Sequence, residues 1–349
     1  MLKNDLYENV DLYHGDYSRL SATMFKRFID NPGDYWDLYV DQNCDPDPPS
    51  DTMVTGDIMH AMILEKRVGR TVVGIYPDHD PDLSEIRDLS GPKRDKLPPE
   101  KIKRFAKILG CAVEDLQSAK GGKELNALKA KVTGQPISSK GSINESAAAE
   151  HRKKHPEYKH WLKRSKFNLL KQSVNAFWFS EWRELFEQDG ALIEVPLVWD
   201  DIRTGIPSRA LLDCLILAPP VAIVSDLKIT VNVLNFSKSY NDFSYFVPQV
   251  HYTNAVKANY PDIEEVKFKF VAHEPPIAGE GRRAKNKRPS KRFATTCNAL
   301  PPEEYSTVEN YYDFKMDQLA EYLQDTKSRW NHPATEVENE IQIWKRSLS

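Results

Sequence analysis

The chain has 349 residues, which is enough for one large domain or two of ordinary size. Its hydrophobic fraction of 40% and charged fraction of 28% fit a globular protein with polar insertions, and a net charge of -3 does not by itself indicate a polyanionic partner. The sequence has no apolar run of about 18 residues, no signal-peptide pattern at its start and no paired spacing among its four cysteines, so we predict no membrane span, zinc site or disulfide framework, and a cytoplasmic location.

The N-terminal part is predicted to be helical. Residues 18–40 are expected to form a helix followed by a turn, with Ser21 as the N-cap, and residues 45–51 form a proline-rich loop. Residues 56–66 have the composition of a mostly buried helix, and His60 is one of its few ionisable side chains.

The middle of the chain differs in composition. Residues 78–150 are polar and rich in lysine, and we interpret them as an insert of short helices and loops within a single domain that spans residues 1–349. Residues 151–187 return to helical periodicity with many aromatic side chains, which we interpret as core rather than as a surface for stacking on bases.

A compact α/β core with a mixed central sheet is predicted over residues 190–275. Strands followed by a helix and a further strand indicate this class, with additional helices flanking the sheet. The predicted elements are strands at 191–199, 206–217, 222–229 and 266–272, a helix or helix pair at 236–260, a basic loop at 280–292 and a terminal helix at 308–330.

The segment Asp226-Leu227-Lys228 carries the most chemical information. Residues i and i+2 of a strand point to the same face, so Asp226 and Lys228 should project together, and Asp213 lies on the preceding predicted strand. Two carboxylates and an ammonium can hold a divalent cation and a phosphate at once, which suits phosphodiester cleavage. The alternative is an ordinary surface ion pair on an edge strand.

The order of several motifs resembles the RecB-type branch of the PD-(D/E)XK nucleases, and more narrowly the exodeoxyribonuclease VIII group of phage and prophage exonucleases. The resemblance covers most of the chain outside the insert. It rests on Tyr17-Ser-Arg-Leu-Ser21, on the helix Gly56-x-x-x-His60-x-x-x-Leu64-Glu65, on Thr204-Gly205, Arg209, Asp213 and Asp226-Leu-Lys228, on Gln249, and on Val271-Ala-His-Glu-Pro-Pro276. The family pattern Gln-x-x-x-Tyr would have tyrosine at position 253, where this chain has Thr253, with Tyr252 one position earlier.

Candidate site residues follow from the resemblance and from their chemistry. Asp213 and Asp226 are the expected ligands of Mg²⁺, with Mn²⁺ also able to support activity, and Lys228 is expected to orient the attacking water. The resemblance adds His60 and the main-chain carbonyl of Leu227 as ligands. The remaining catalytic candidates are Glu194, Gln249 and Tyr252. His60 could instead be a satisfied core histidine, and Glu194 could be either an outer ligand or the partner of a basic group.

Two basic segments are candidates for contact with the DNA backbone, although each could also be a solvated surface. One spans residues 152–171 and the other lies in the 280–292 loop. The predicted DNA contacts are Arg209, Arg282, Arg283, Lys285, Lys287, Arg288, Lys291 and Arg292.

We therefore predict a metal-dependent exonuclease of linear double-stranded DNA. The resemblance implies a homo-oligomeric ring, degradation from 5′ to 3′, a single-strand annealing protein as partner, and a phage or prophage origin in a bacterial host. An endonuclease or trimming nuclease of the same fold, and a non-catalytic DNA-binding relative, remain as alternatives. The scattered cysteines disfavour the iron–sulfur set that many trimming relatives carry.

Overall fold

The computed structural model describes residues 13, 15–64, 73–75, 99–109, 112–114, 152–156, 158, 160–162, 164–231, 233–276 and 293–324. The chain divides into two compact units, one of Met1–Val68 with Ser173–Ser349 and the other of Gly69–Gln172. Among the helices described, none combines the length and the apolar character that a membrane span requires.

The first unit is built on a five-stranded mixed sheet. Its strands are β3 Ala191–Asp200, β4 Pro207–Ala218, β5 Val221–Ile229, β6 Glu265–His273 and β7 Thr295–Asn298. They lie side by side in this order, with β5 and β6 parallel and the other neighbours antiparallel. A parallel pair needs a crossover connection, and two helices between β5 and β6 supply it.

Helices lie against both faces of this sheet, as the predicted α/β class with flanking helices requires. The helices of the first unit are α1 Ala22–Asp30, α2 Pro32–Tyr35, α3 Asp51–Leu64, α6 Glu184–Glu187, α7 Phe236–Asp242, α8 Phe246–Asn259 and α9 Pro302–Gln324, with a π-helical turn at Trp36–Val40 and short 3₁₀ turns at Glu181–Arg183 and Val233–Asn235. Helix α5, Arg164–Trp178, spans the boundary between the two units.

Alternating side chains of the strands feed two hydrophobic cores. On β6, Phe270 and Ala272 pack into the larger core with residues of α1, α8 and α9, whereas Val271 packs into a smaller core with Ile63 and Leu64 of α3. Burial of apolar area on both faces supplies the main stabilising free energy of the sheet.

The second unit is described by a few elements. Strands β1, Val73–Ile75, and β2, His160–Leu162, pair in parallel, and helix α4 spans Pro99–Leu109. Gly74 faces the ring of Trp161 so closely that a Cβ at this position would lie 2.8 Å from ring carbons. Glycine is therefore the residue that allows the strand and the indole to meet.

The structure confirms the predicted core strands to within one residue at each end, and it resolves the 236–260 prediction into the helix pair. Ser21 caps α1, since its side chain accepts a hydrogen bond from the amide of Met24. The fully helical prediction for residues 151–187 was wrong at residues 160–162, which form β2, because pairing with a distant strand leaves no local periodicity.

Two helices begin at earlier residues than predicted. Helix α3 begins at Asp51, inside the predicted loop, and α9 begins at Pro302 rather than at residue 308. The predicted basic loop falls at residues 280–292, which lie outside the described residues, as do most of the predicted insert and residues 325–330 of the terminal helix.

Candidate active site

Three carboxylates lie in one row across three neighbouring strands. Glu194 on β3 stands opposite Asp213 on β4, between the register pairs Ile193–Cys214 and Val195–Leu212. The register continues to β5, where Asp226 directly follows Ser225, the partner of Cys214. Directly opposed residues of neighbouring strands have their side chains within about 5 Å, so the row gathers three acidic groups.

The row coincides with a break in the alternation of β3 and β4. Glu194 has a φ of 55°, a left-handed conformation that is uncommon for a residue with a side chain. Ile193 packs against the smaller core but Val195 belongs to the larger one, although two residues of the same parity normally share a face. Leu212 and Cys214 differ in the same way on β4, so both strands change phase at the carboxylates.

His60 reaches this row from helix α3. Its Nε2 lies 3.0 Å from Asp213 Oδ1, and its Nδ1 lies 3.9 Å from Glu194 Oε1. Gly56, one turn earlier, faces β5, and a Cβ built there would lie 4.0 Å from the Cβ of Ile229. The helix thus packs closely on the strand at this turn, which brings the imidazole over the carboxylates.

Asp226 and Lys228 form the second half of the site. Lys228 Nζ lies 2.5 Å from Asp226 Oδ2, and it also lies 5.3 Å from the centroid of the Tyr245 ring. Asp213 is linked to this half through the main chain, since the amide of Leu227 donates a hydrogen bond of 2.6 Å to Asp213 Oδ2. The described contact of Leu227 is thus made by its N–H group, and its carbonyl remains a predicted ligand.

Burial and charge shift the pKa values of these groups in different directions. Burial alone would lower the pKa of His60. The charge and hydrogen bond of Asp213 outweigh burial, however, and raise the His60 pKa to about 9. Burial raises the pKa of Asp226 to about 6 against the opposing charge of Lys228, and the charge of Asp213 adds to the rise. At Lys228, Asp226 outweighs burial and raises the pKa of the ammonium.

The donor set fits a hard divalent cation. One ligand atom from each of His60, Glu194 and Asp213 can lie within 4.8 Å of the other two. Carboxylate oxygens suit Mg²⁺, and an added imidazole nitrogen also suits Mn²⁺. Glu194 thus joins the predicted ligands His60 and Asp213, while Asp226 is engaged by Lys228.

Helix α8 carries the next pair of predicted residues. Gln249 is buried, and its Oε1 accepts a hydrogen bond of 2.7 Å from the hydroxyl of Tyr240. Burial, together with the charges of the acidic row, raises the pKa of Tyr252 well above its usual value, which places this phenol near the carboxylates. Thr253, at the family's tyrosine position, is buried and donates to the carbonyl of Gln249.

Arg209 does not lie where a DNA contact would need it. The side chain is buried, its Nε donates to the carbonyl of Arg19 at 3.2 Å, and its guanidinium lies 4.6 Å from the centroid of the Tyr13 ring. These contacts give Arg209 a role in packing strand β4 against the N-terminal segment. The seven predicted contacts in the 280–292 loop lie outside the described residues.

Two residues of the site were missed by the sequence analysis. Tyr245 stands beside Lys228, and Lys26 of helix α1 lies 5.6 Å from the centroid of the same ring. The available signal for Lys26 was its position next to Phe25 and two residues before Phe28, both of which are buried, since a lysine on the edge of a buried helix face lies close to the core.

The fold and site define a mixed α/β protein with an acidic, histidine-containing candidate metal centre at its sheet. Comparison with protein-family models and with curated proteins gives no match. Among solved structures, a Eubacterium rectale protein named as a candidate exonuclease aligns with a TM-score of 0.48 and 10% identity, over 93% of this chain and 88% of that one. A protein designated SSO0001 aligns with a TM-score of 0.23 and 10% identity, over 75% of this chain and 85% of that one. Likeness of this degree does not establish a shared family.

Proposed function

We propose that this protein is a metal-dependent deoxyribonuclease with a PD-(D/E)XK core, acting as an exonuclease on linear double-stranded DNA. The observation that carries the proposal is the row of Glu194, Asp213 and Asp226, with His60 and Lys228 in contact with it. Strained backbone, buried carboxylates and perturbed pKa values at one place on a sheet are more typical of a reaction centre than of a structural ion pair.

The roles of the side chains follow from their contacts. His60, Glu194 and Asp213 would hold Mg²⁺ or Mn²⁺, which when bound lowers the pKa of water and offsets charge on the phosphate. Lys228 is kept charged by Asp226, so its ammonium can orient the attacking water and stabilise negative charge that grows on the phosphate oxygens. The Leu227 amide fixes Asp213 for this task.

The direction of degradation belongs to the same proposal. The protein would remove nucleotides from the 5′ ends of duplex DNA and leave 3′ single-stranded overhangs, which a single-strand annealing protein would use in recombination. The support is the order of motifs in the chain, from His60 through Asp213 and Asp226-Leu-Lys228 to Gln249.

One assay tests the reaction and its requirement for a free end. Purified protein with Mg²⁺ is given linear duplex labelled at the 5′ end, the same duplex labelled at the 3′ end, and closed circular duplex. We expect early release of the 5′ label, survival of the 3′-labelled strand and an intact circle. Nicking of the circle at the rate of linear cleavage would favour an endonuclease, and binding of DNA without any cleavage would favour a non-catalytic module.

The proposed assembly is a homo-oligomeric ring around the duplex, in which the basic loop contacts phosphates. Neutralising Arg288, Lys291 and Arg292 should then weaken DNA binding without changing the rate at saturating DNA. Each lost phosphate contact should reduce the slope of log K against log salt by about 0.9. A monomer by light scattering, or an unchanged salt slope in the neutralised variant, would contradict the ring or the loop contact respectively.

A further inference from the structure

A second ammonium group lies at the candidate active site, and it comes from outside the strands. Lys26 Nζ is 5.6 Å from the centroid of the Tyr245 ring, and Lys228 Nζ is 5.3 Å from the same centroid. Helix α1 is fixed in place by Phe25 and Phe28, which are buried in the larger core. Lys26 is therefore held at the site rather than free to move away with a surface segment.

Unlike Lys228, Lys26 has no acid in ion-pair contact among the residues that the structure describes. Lys228 is engaged by Asp226 at 2.5 Å, whereas none of the described residues places a carboxylate oxygen within 4.0 Å of Lys26 Nζ. The Lys26 side chain is half-buried. Withdrawing an ammonium from water without a close counter-ion costs free energy, and an anionic ligand would recover it. The leaving oxygen of a scissile phosphate acquires such a charge only as its bond to phosphorus breaks.

Lys26 also holds its proton less firmly than an ordinary lysine does. Burial and the charge of Lys228 lower the pKa of Lys26 to about 8, although the longer-range charges of Asp30 and Asp226 act against this change. Tyr245, whose ring both ammonium groups approach, has a raised pKa mainly from burial and remains neutral. An ammonium whose pKa lies near neutral pH can give up a proton and regain it within a catalytic cycle.

We propose that Lys26 is the general acid of phosphodiester cleavage, donating a proton to the leaving oxygen while Lys228 remains charged beside the phosphate. The proposal rests on the nuclease activity proposed above. As the oxygen of water bonds to phosphorus, the bond from phosphorus to the leaving oxygen breaks. Its electron pair stays on that oxygen, which takes the Lys26 proton. The water loses its own proton to solvent, and Lys26 regains one from solvent, so one phosphate monoester and one alcohol form per water consumed.

The test compares two leaving groups in linear duplex DNA. One substrate is unmodified, and the other has sulfur in place of the leaving bridging oxygen at the first scissile linkage, as identified from the wild-type products. A thiol has a pKa of about 8.5, against about 15.7 for water, so a thiolate departs without needing a proton. Mn²⁺ is used throughout, since it tolerates sulfur better than Mg²⁺ does.

The variants are Lys26→Gln and Lys26→Arg, with Lys315→Gln as the matched control. Lys315 also lies over aromatic rings, those of Tyr311 and Phe314, but on helix α9. Both Lys26 variants should lose about 10²-fold or more in kcat on the oxygen substrate. Arginine is included because it keeps the charge but cannot act as an acid near neutral pH. On the sulfur substrate the loss should be below about tenfold, the remainder being electrostatic.

Binding and folding readouts accompany the rates. The Kd for DNA, measured by fluorescence anisotropy with Ca²⁺, should stay within about threefold of wild type. Thermal unfolding should be unchanged or shifted upward, because the substitution breaks no ion pair among the described residues. Equal losses on both substrates, full activity of Lys26→Arg, or a weakened Kd with normal kcat would overturn the general acid and leave a phosphate contact only. A wild-type protein without cleavage would instead remove the proposed function itself.

Discussion

Acid should destabilise this protein through a buried histidine that is not one of the candidate metal ligands. His251 on helix α8 is fully buried, its Nδ1 lies 2.7 Å from the hydroxyl of Tyr312, and its Nε2 lies 3.0 Å from the carbonyl of Arg209. The neutral ring satisfies both contacts when Nε2–H donates to the carbonyl and Nδ1 accepts from the tyrosine. Burial lowers the pKa of this histidine to about 4.

The sign and size of the effect follow from proton binding in the two states. In the unfolded chain the histidine has a pKa of about 6.5, so between pH 6.5 and pH 4 the unfolded state binds a proton that the folded state does not. Stability from this residue is therefore complete above about pH 6.5 and is lost as the pH falls towards 4. At about 1.4 kcal/mol for each pH unit, the loss is about 3 kcal/mol, a substantial part of a typical unfolding free energy of about 5–15 kcal/mol.

Urea unfolding followed by tryptophan fluorescence, from about pH 7 to about pH 4.5, measures this loss in wild type and in His251→Gln. Glutamine can donate to the Arg209 carbonyl and accept from Tyr312, but it does not titrate. The other ionisable groups, including Asp226, change equally in both proteins and cancel in the difference. The unfolding free energy of wild type minus that of His251→Gln should fall by about 2–3 kcal/mol between about pH 7 and about pH 4.5. A difference that stays constant with pH would show that His251 does not remain neutral in the folded protein.

Further changes probe the candidate site and its support. Lys228→Ala or Asp226→Ala should lower kcat by about 10²–10³-fold, with the fold intact by circular dichroism. The control Lys238→Ala, which breaks the exposed ion pair with Asp242, should leave kcat unchanged. Near wild-type cleavage by Lys228→Ala would remove the site assignment. Gln249→Ala should lower the unfolding free energy by about 0.5–1.5 kcal/mol, because it removes the buried hydrogen bond that Gln249 accepts from the hydroxyl of Tyr240, and an unchanged urea midpoint would speak against this contact. Mg²⁺ and Mn²⁺ should support cleavage and Ca²⁺ should inhibit it, since Ca²⁺ prefers about six to eight oxygen ligands; vigorous cleavage in EDTA would contradict a metal-based reaction.

The core strands could be predicted from sequence because their signals are local. Strands β3 to β6 are apolar runs bounded by turn residues, and the positions of Asp226 and Lys228 on one face follow from the two-residue period alone. The cap at Ser21 is equally local, since it depends on the amide three residues later.

Other features depend on residues that are distant in the sequence. A left-handed conformation at Glu194 has no local signal, because the residue is not glycine or asparagine and the neighbouring residues continue a strand. Lys26 reaches the site only because helix α1 packs against the sheet, and its partner ring at Tyr245 is more than two hundred residues away. The burial of Arg209 likewise depends on the N-terminal segment that covers it.

Several departures from ordinary packing are concentrated at the candidate active site, and this distribution has a physical meaning. A strand that changes phase gives up regular alternation, a half-buried ammonium without an acid partner costs solvation, and three neighbouring carboxylates repel one another. None of these features stabilises the folded chain, yet Glu194, Asp213 and Asp226 lie in one row, and Lys26 lies over the ring that Lys228, the partner of Asp226, also approaches. The surrounding core follows the ordinary rules of packing and can meet these costs. Local departures of this kind are expected where a chain retains a site for binding and reaction, because stability alone would favour apolar residues in the same row.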